Sequence, residues 1–361
     1  MNLDPTETQR LLEETVRGFL EAEAPYDRTR KLEADQGWDA GLWGKVCEQG
    51  FLDLVFNAQG AGHDGRSLLD LGLVVELFAR RAVMVPILEV AVAGRVLETS
   101  PALASEWVPE VAAGRAVPVP AILEAGDRFD SVDLEVSADG HLTGTKYFVD
   151  YGQHATHHLV AANQGGECDF FWVDARGEGV AFEPLLSVGR TPVAVVRYSK
   201  VPAQRLDAQA SLAEAIRLGR ALAALQCVGS MQASLDMTVA YAKVREQFGQ
   251  PIGRFQAVRH HCANMASRVA SARLLALEAL SALDRGEQAD VRVAAAKAAA
   301  SRAVPEVLML GHQIHGGNGV IEENDLYFFT LRGKERSLAW GSVEECLAVM
   351  AESAATEVDW F

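Results

Sequence analysis

Closely spaced cysteines are missing from this chain. The five, Cys47, Cys168, Cys227, Cys262 and Cys346, are odd in number and form no CxxC pair, which speaks against a disulfide framework or a zinc site. A long apolar run is missing as well. The most apolar stretch, 71–97, is broken by Glu76, Arg80, Arg81, Glu89 and Arg95, whereas a bilayer span needs about 20 apolar residues in succession. Basic residues are scarce: 33 Lys and Arg against 49 Asp and Glu leave a formal net charge of -16. Such a chain repels nucleic-acid phosphates and anionic membrane surfaces, so neither is an expected partner. The start, Met1-Asn2-Leu3-Asp4-Pro5, lacks the basic and apolar regions of a secretion signal, and a cytoplasmic protein is expected. No internal repeat or low-complexity linker occurs. What is present is 361 residues, 49% of them hydrophobic, enough for two or three packed regions.

Periodicity divides the chain into three parts. Asp4-Pro5-Thr6-Glu7-Thr8 is a helix start, and Leu11, Leu12, Val16, Phe19 and Leu20 follow at helical spacing. Helical texture continues through 43–51, 67–78 and 87–97, with a Gly/Asn/Asp-rich loop over 57–65, and persists to about residue 116. From there short β-branched runs take over at Val117–Leu123, Val132–Val136 and Val193–Tyr198, and Asp139-Gly140 is a hairpin signal. Beyond Pro202 helix returns. Leu218, Leu222, Leu225, Val228, Met231, Leu235, Val239 and Ala242 form one apolar stripe, and two Ala-rich helices over 257–283 and 289–310 follow, the Asp284-Arg285-Gly286 turn lying between them. The pattern predicts an α+β multidomain chain: an N-terminal helical domain over 1–116, a middle antiparallel β-domain over 117–203 and a C-terminal helical bundle over 204–361.

Two motifs carry chemistry. In Arg245-Glu246-Gln247-Phe248-Gly249-Gln250-Pro251-Ile252-Gly253-Arg254-Phe255-Gln256, the Arg245 guanidinium offers a planar fork of donors that suits phosphate oxygens and keeps its charge at any relevant pH. In Gln313-Ile314-His315-Gly316-Gly317-Asn318-Gly319, glycines let backbone approach a ligand closely, though a helix end followed by a tight turn needs the same residues. The glycines follow a helix and lack GxGxxG spacing, so they are no dinucleotide fingerprint. His154, His157 and His158 have no acid or thiol nearby in sequence, and a polar loop or strand end is a better reading than a metal site. His260 and His261 are expected at an interface or in solvent.

Together the two motifs, in this order of helix, β and helix, resemble the acyl-CoA dehydrogenase family across nearly the whole chain. The resemblance is strongest in the C-terminal half and poorest in the β-domain. It implies the family's fold, ending in a four-helix-bundle domain, and FAD as cofactor. By position it gives Arg245 the FAD pyrophosphate of a neighbouring subunit. Gln247, Phe248, Phe255 and Gln256 would flank that nucleotide, and Gln313, Gly316 and Gly317 would touch its adenosine diphosphate part. The family removes an α-proton from an acyl-CoA thioester with a Glu while the β-hydrogen leaves as hydride. Counting the usual distance onward from Gln313 reaches Trp340, with Gly341 next; the alternative position, counted back from Arg245, is Gly219. Neither is acidic. Trp340 would fill the acyl slot or pack in the core. Glu344 and Glu345 are possible relocated bases, more simply acids of a helix start. The flavin-facing Trp and Thr of relatives become Phe148 and Asp150, and the loop 123–128 has no recognisable flavin-binding pattern.

What a subunit gives its neighbour's FAD is retained, and what it needs for its own is not. This resembles the non-catalytic subunit of actinobacterial heterotetrameric acyl-CoA dehydrogenases of the steroid side-chain type. The resemblance implies an α2β2 assembly with a catalytic paralogue, an acyl-CoA substrate and electron-transfer flavoprotein or a similar acceptor. A self-sufficient dehydrogenase using a base such as Glu344, and a flavin-free scaffold of the same fold, stay open at this level.

Overall fold

The computed structural model describes residues 5–34, 37–56, 67–126, 129, 131–206 and 211–357. The loop expected over 57–65, the first residue of the helix start, Asp4, and Asp127-Arg128 lie outside the described residues. Among the described residues six α-helices come first: α1 (Glu7–Glu23), α2 (Tyr26–Ala34), α3 (Ala40–Glu48), α4 (Leu68–Arg80), α5 (Ile87–Glu98) and α6 (Pro101–Ala112). Seven strands follow: β1 (Pro118–Ala121), β2 (His141–Asp150), β3 (His157–Gln164), β4 (Glu167–Asp174), β5 (Val180–Leu185), β6 (Val193–Pro202) and β7 (Gln204–Arg205). Then come α7 (Leu212–Val244), a small hairpin of β8 (Glu246–Gln247) and β9 (Gln250–Pro251), α8 (Gln256–Asp284), α9 (Asp290–His315), α10 (Leu326–Leu338) and α11 (Val343–Glu357). N-terminal helices, a central β region and C-terminal helices are thus the expected fold class. Among the described residues no helix is long and apolar enough to cross a membrane.

By contacts the chain forms two compact units. One comprises Met1–Thr29, Gly72–Val83 and Arg220–Phe361. At its centre α9 presents a buried alanine-rich face, with Ala294, Ala296, Ala300 and Ala303 beside Val293, Val304 and Val307, and α8, α10 and α11 pack on it. Small residues also bring α7 against α4: a methyl group at Gly229 would stand 2.3 Å from Glu76 O. Two ion pairs reinforce α4. Arg80 meets Asp236, and the Arg273 Nε reaches both oxygens of buried Glu76 at 2.9 and 2.8 Å. The helix start expected there is α1, and it is closed by a capping box, Thr6 and Gln9 exchanging side-chain and backbone bonds.

The second unit comprises Arg30–Leu71 and Met84–Gly219. Its β region has two sheets, ordered β1-β3-β4-β7 and β2-β6-β5. Val119, Val160, Phe171 and Val173 of the first share a core with Leu142, Val149, Val196 and Tyr198 of the second. The expected antiparallel β-domain needs one correction: β1 runs parallel to β3. The intervening chain passes through β2 in the other sheet before returning, and so long a crossover permits parallel pairing. The strand expected over 132–136 is also reduced, to single bridges from Glu135 to Asn163 and from Val136 to Leu142. The Glu124 carboxylate takes the N–H groups of Asp133 and Leu134 at 2.9 and 3.1 Å, leaving them nothing to give a ladder.

Candidate functional site

Arg245 stands where α7 stops. Its N–H still closes the helix on Tyr241 O at 2.8 Å, while its carbonyl accepts Ile252 N–H at 2.8 Å and so starts the β8–β9 hairpin. Phe248 and Gly249 form the two-residue loop with φ of 55° and 78°, the left-handed pair that a tight hairpin demands. This strained turn holds Phe248 at the tip, 92% exposed, with its ring edge-on to Phe255 at 6.0 Å. Arg245, Gln247 and Gln256 are exposed as well, and Phe255 is half-buried. The Arg245 guanidinium has no hydrogen-bond or ion partner among the described residues.

The second motif ends α9. Gly316 has φ 60° and ψ -139°, a backbone shape that a side chain would strain, and its N–H caps the helix on His312 O. Gln313, Gly316, Gly317 and Asn318 are exposed. A Cβ built on Gly316 or Gly317 meets nothing within 4 Å, and Gly317 has no positive φ to explain it. The open backbone there leaves room for a ligand. One contact joins the motifs: the Tyr241 ring stacks on His315 with centroids 4.3 Å apart and 11° between planes, and its hydroxyl donates to His315 O at 3.5 Å. Arg245 lies one helical turn beyond Tyr241 and Gly316 directly follows His315. The two motifs therefore meet at one end of the helical bundle.

At the expected base position Trp340 is 8% exposed and has φ 61°, uncommon for a bulky residue. Two cations hold its turn. Arg220 Nε donates to Trp340 O at 3.0 Å, and buried Lys297 Nζ donates to Ser301 Oγ, Ser337 O and Gly341 O at 2.8, 2.9 and 3.1 Å. Burial pushes the Lys297 ammonium below its ordinary range, helped by the charge of Arg220, while nearby Cys227 and Cys346 oppose it. Glu345 accepts Ser342 N–H at 2.6 Å while Ser342 Oγ accepts Glu345 N–H at 3.1 Å, which makes it the capping box of α11. Glu344, on the same turn, is exposed, and Gly219 is a buried helix residue. Arg220, Tyr241 and Lys297 were not anticipated. A lysine within an alanine-rich helix reads as a solvated face, and only the fold shows Lys297 turned inward.

In the β region Phe148 sits in a bulge: between the Lys146–Val196 and Val149–Ala194 pairs, β2 carries one residue more than β6. The bulge gives Phe148 φ 51° and leaves it 55% exposed. Asp150 is half-buried. The neighbouring Lys146, fully buried, donates to Glu124 at 2.6 Å and to Ile122 O at 3.0 Å. The three histidines are dispersed among aromatic rings. His154 faces Trp38 at 6.1 Å, His157 stacks on Trp172 at 4.7 Å, and His158 bridges Gly152 O and the Tyr198 hydroxyl. No group of three or more potential metal ligands occurs among the described residues. His260 is exposed and His261 half-buried.

Residues 6–115 match the acyl-CoA dehydrogenase N-terminal domain and residues 210–355 the acyl-CoA dehydrogenase C-terminal domain. Acyl-CoA dehydrogenase FadE27 of Mycobacterium tuberculosis is 30% identical over 94% of this chain and 95% of its own. The chain belongs to the acyl-CoA dehydrogenase family. A variant of the Tcur3481-Tcur3483 steroid ACAD superposes with a TM-score of 0.90 at 27% identity, covering 97% of this chain and 98% of that one. The ChsE4-ChsE5 complex from Mycobacterium tuberculosis gives 0.89 at 27% identity, covering 98% and 99%. Acyl-CoA dehydrogenases are FAD-dependent oxidoreductases acting on CH–CH bonds. An unpartnered guanidinium and two open glycines, on motifs joined through Tyr241 and His315, are groups that suit the anionic nucleotide part of FAD, but neither expected base position offers a carboxylate.

Proposed function

We propose that this acyl-CoA dehydrogenase family chain is a helper subunit that lends FAD-binding residues to a catalytic paralogue. The observation that carries the reading is the contrast between its two ends of chemistry. Arg245 and the open glycine turn are displayed outward, while Trp340 fills the base position on a turn tied down by Arg220 and Lys297. Bound FAD would accept the β-hydrogen of an acyl-CoA as hydride. Arg245 would neutralise its pyrophosphate, a local positive charge that matters in a chain of net charge -16. Gln313, Gly316 and Gly317 would receive the adenosine side, with Gln247, Phe248, Phe255 and Gln256 around it. An indole cannot take the α-proton, so the partner supplies the Glu.

The likeness to a steroid ACAD and to a two-component complex supports an α2β2 heterotetramer acting on a steroid side-chain CoA thioester and passing electrons to electron-transfer flavoprotein or a similar acceptor. We place the assembly in the cytoplasm and keep the partition 1–116, 117–203 and 204–361 for its domains. Glu344 as a relocated base is less favoured, because a base that must work dry stands here in solvent. Purifying the chain alone and with the paralogue encoded beside it tests the reading. Flavin absorbance and acyl-CoA oxidation are expected only for the pair. A yellow, active lone chain would refute the helper role, and a pair that forms no complex and holds no FAD would favour the scaffold.

A further inference from the structure

The glycine turn is open above and clamped below. His312, on the last turn of α9, lies with Nδ1 2.6 Å from Gly319 O and Nε2 2.7 Å from Thr330 Oγ1 on α10. A carbonyl oxygen only accepts, so Nδ1 carries a proton and donates to Gly319. With Nδ1 donating, Nε2 accepts the Thr330 hydroxyl proton, the shorter of the two contacts open to that hydroxyl. One imidazole thus links the end of the turn to α9 and α10. The middle is held separately. Asn324 Nδ2 donates to Asn318 O at 2.9 Å, and its Oδ1 accepts Leu326 N–H at 3.0 Å. Gly319 completes the clamp by lacking a side chain: a Cβ there would stand 2.8 Å from His315 Cβ and 3.2 Å from His312 O.

Gly316, Asn318 and Gly319 are therefore fixed from beneath, while a Cβ on exposed Gly316 or Gly317 would meet no atom of the described residues within 4 Å. Glycine-rich backbone is the costliest to order on binding, because glycine has the most freedom to lose. A turn already fixed escapes that cost when a ligand arrives. We propose that His312 is a positioning residue: acting through Gly319 O, it fixes the glycine turn in the shape that receives the nucleotide. The proposal rests on the reading that this turn meets FAD. A helix-end histidine that merely satisfies a carbonyl would stabilise the fold without affecting the ligand.

Three variants separate these roles. His312→Leu removes both bonds. His312→Asn keeps an amide donor near the Nδ1 position, toward Gly319, and His312→Gln places its amide instead near Nε2, toward Thr330. Amide hydrogen exchange over 316–320 in the lone chain needs no flavin, and FAD fluorescence titration of the two-chain complex gives the affinity. Faster exchange and about tenfold weaker FAD binding are expected for Leu and Gln, with Asn close to wild type. If Leu does not fold, the Asn and Gln pair decides by the same readouts. Wild-type exchange and affinity in the Gln variant, or equal losses in Asn and Gln, would overturn the positioning role. Arg245→Ala in the same complex guards the underlying reading. If it keeps FAD, the site reading fails; if it releases FAD while the His312 variants bind normally, only the positioning role fails.

Discussion

Acidification from pH 7 to pH 4 should cost this chain about 3 kcal/mol through a single side chain, His158. Its imidazole is fully buried, with Nε2 3.0 Å from Gly152 O and Nδ1 2.9 Å from the Tyr198 hydroxyl, and Phe182 edge-on at 5.9 Å. Only one neutral form satisfies both contacts: Nε2–H donates to the carbonyl and Nδ1 accepts from tyrosine. A second proton would face the hydroxyl and bring a charge into the sheet core. Burial is the largest influence and, with the charge of His157, takes the ring down to about 4; the Gly152 bond only partly opposes it. The unfolded chain protonates near the ordinary 6.5. Between those values the unfolded state binds a proton that the folded state refuses, so stability falls as pH drops through the window. At about 1.36 kcal/mol per tenfold change in proton affinity, the loss is roughly 3 kcal/mol. Urea unfolding at pH 7, 5.5 and 4 should show wild type losing its advantage over His158→Gln, which keeps a donor for Gly152 and cannot titrate. Parallel stability curves for the two proteins would refute the reasoning.

Arg245→Ala should leave the unfolding midpoint nearly unchanged, since the guanidinium holds nothing in the described fold, yet weaken FAD in the two-chain complex. Two charge-assisted bonds suggest about 2–4 kcal/mol, or roughly 30- to 1,000-fold, measurable by flavin fluorescence. Gly317→Ala meets no atom of the described residues within 4 Å and should be neutral within about 0.5 kcal/mol for folding, while lowering the flavin content of the complex; loss of fold stability instead would place the glycine's role inside the chain. Burial holds Lys297 below its ordinary 10.5, so the unfolded chain binds the extra proton and stability should rise as pH climbs toward 10.5. Urea unfolding at pH 8 and pH 10 should show that rise diminished in Lys297→Met.

Helices were legible wherever burial repeats along one face. The stripe from Leu218 to Ala242 lies within α7 because a long helix in a bundle must bury a continuous side. The β region was legible in class but not in register. β1 pairs in parallel because of where the chain returns, and the strand at 132–136 gave way to a side chain, Glu124, more than a β-strand's length away in sequence. The bulge at Phe148 is likewise a property of pairing, invisible in composition. For the site, residue types and spacing pointed to Arg245 and Gly316, but the stack of Tyr241 on His315 that joins them is a tertiary contact. His312 went unnoticed beside the glycines because its partners, Gly319 and Thr330, become neighbours only when α9 turns back into α10.

The flavin stoichiometry of the purified two-chain complex tests the shared-site reading most directly. If this chain lends half of a site and keeps none of its own, absorbance after denaturation should give one FAD for each pair of unlike chains. Two per pair, or FAD bound to this chain without its partner, would contradict it.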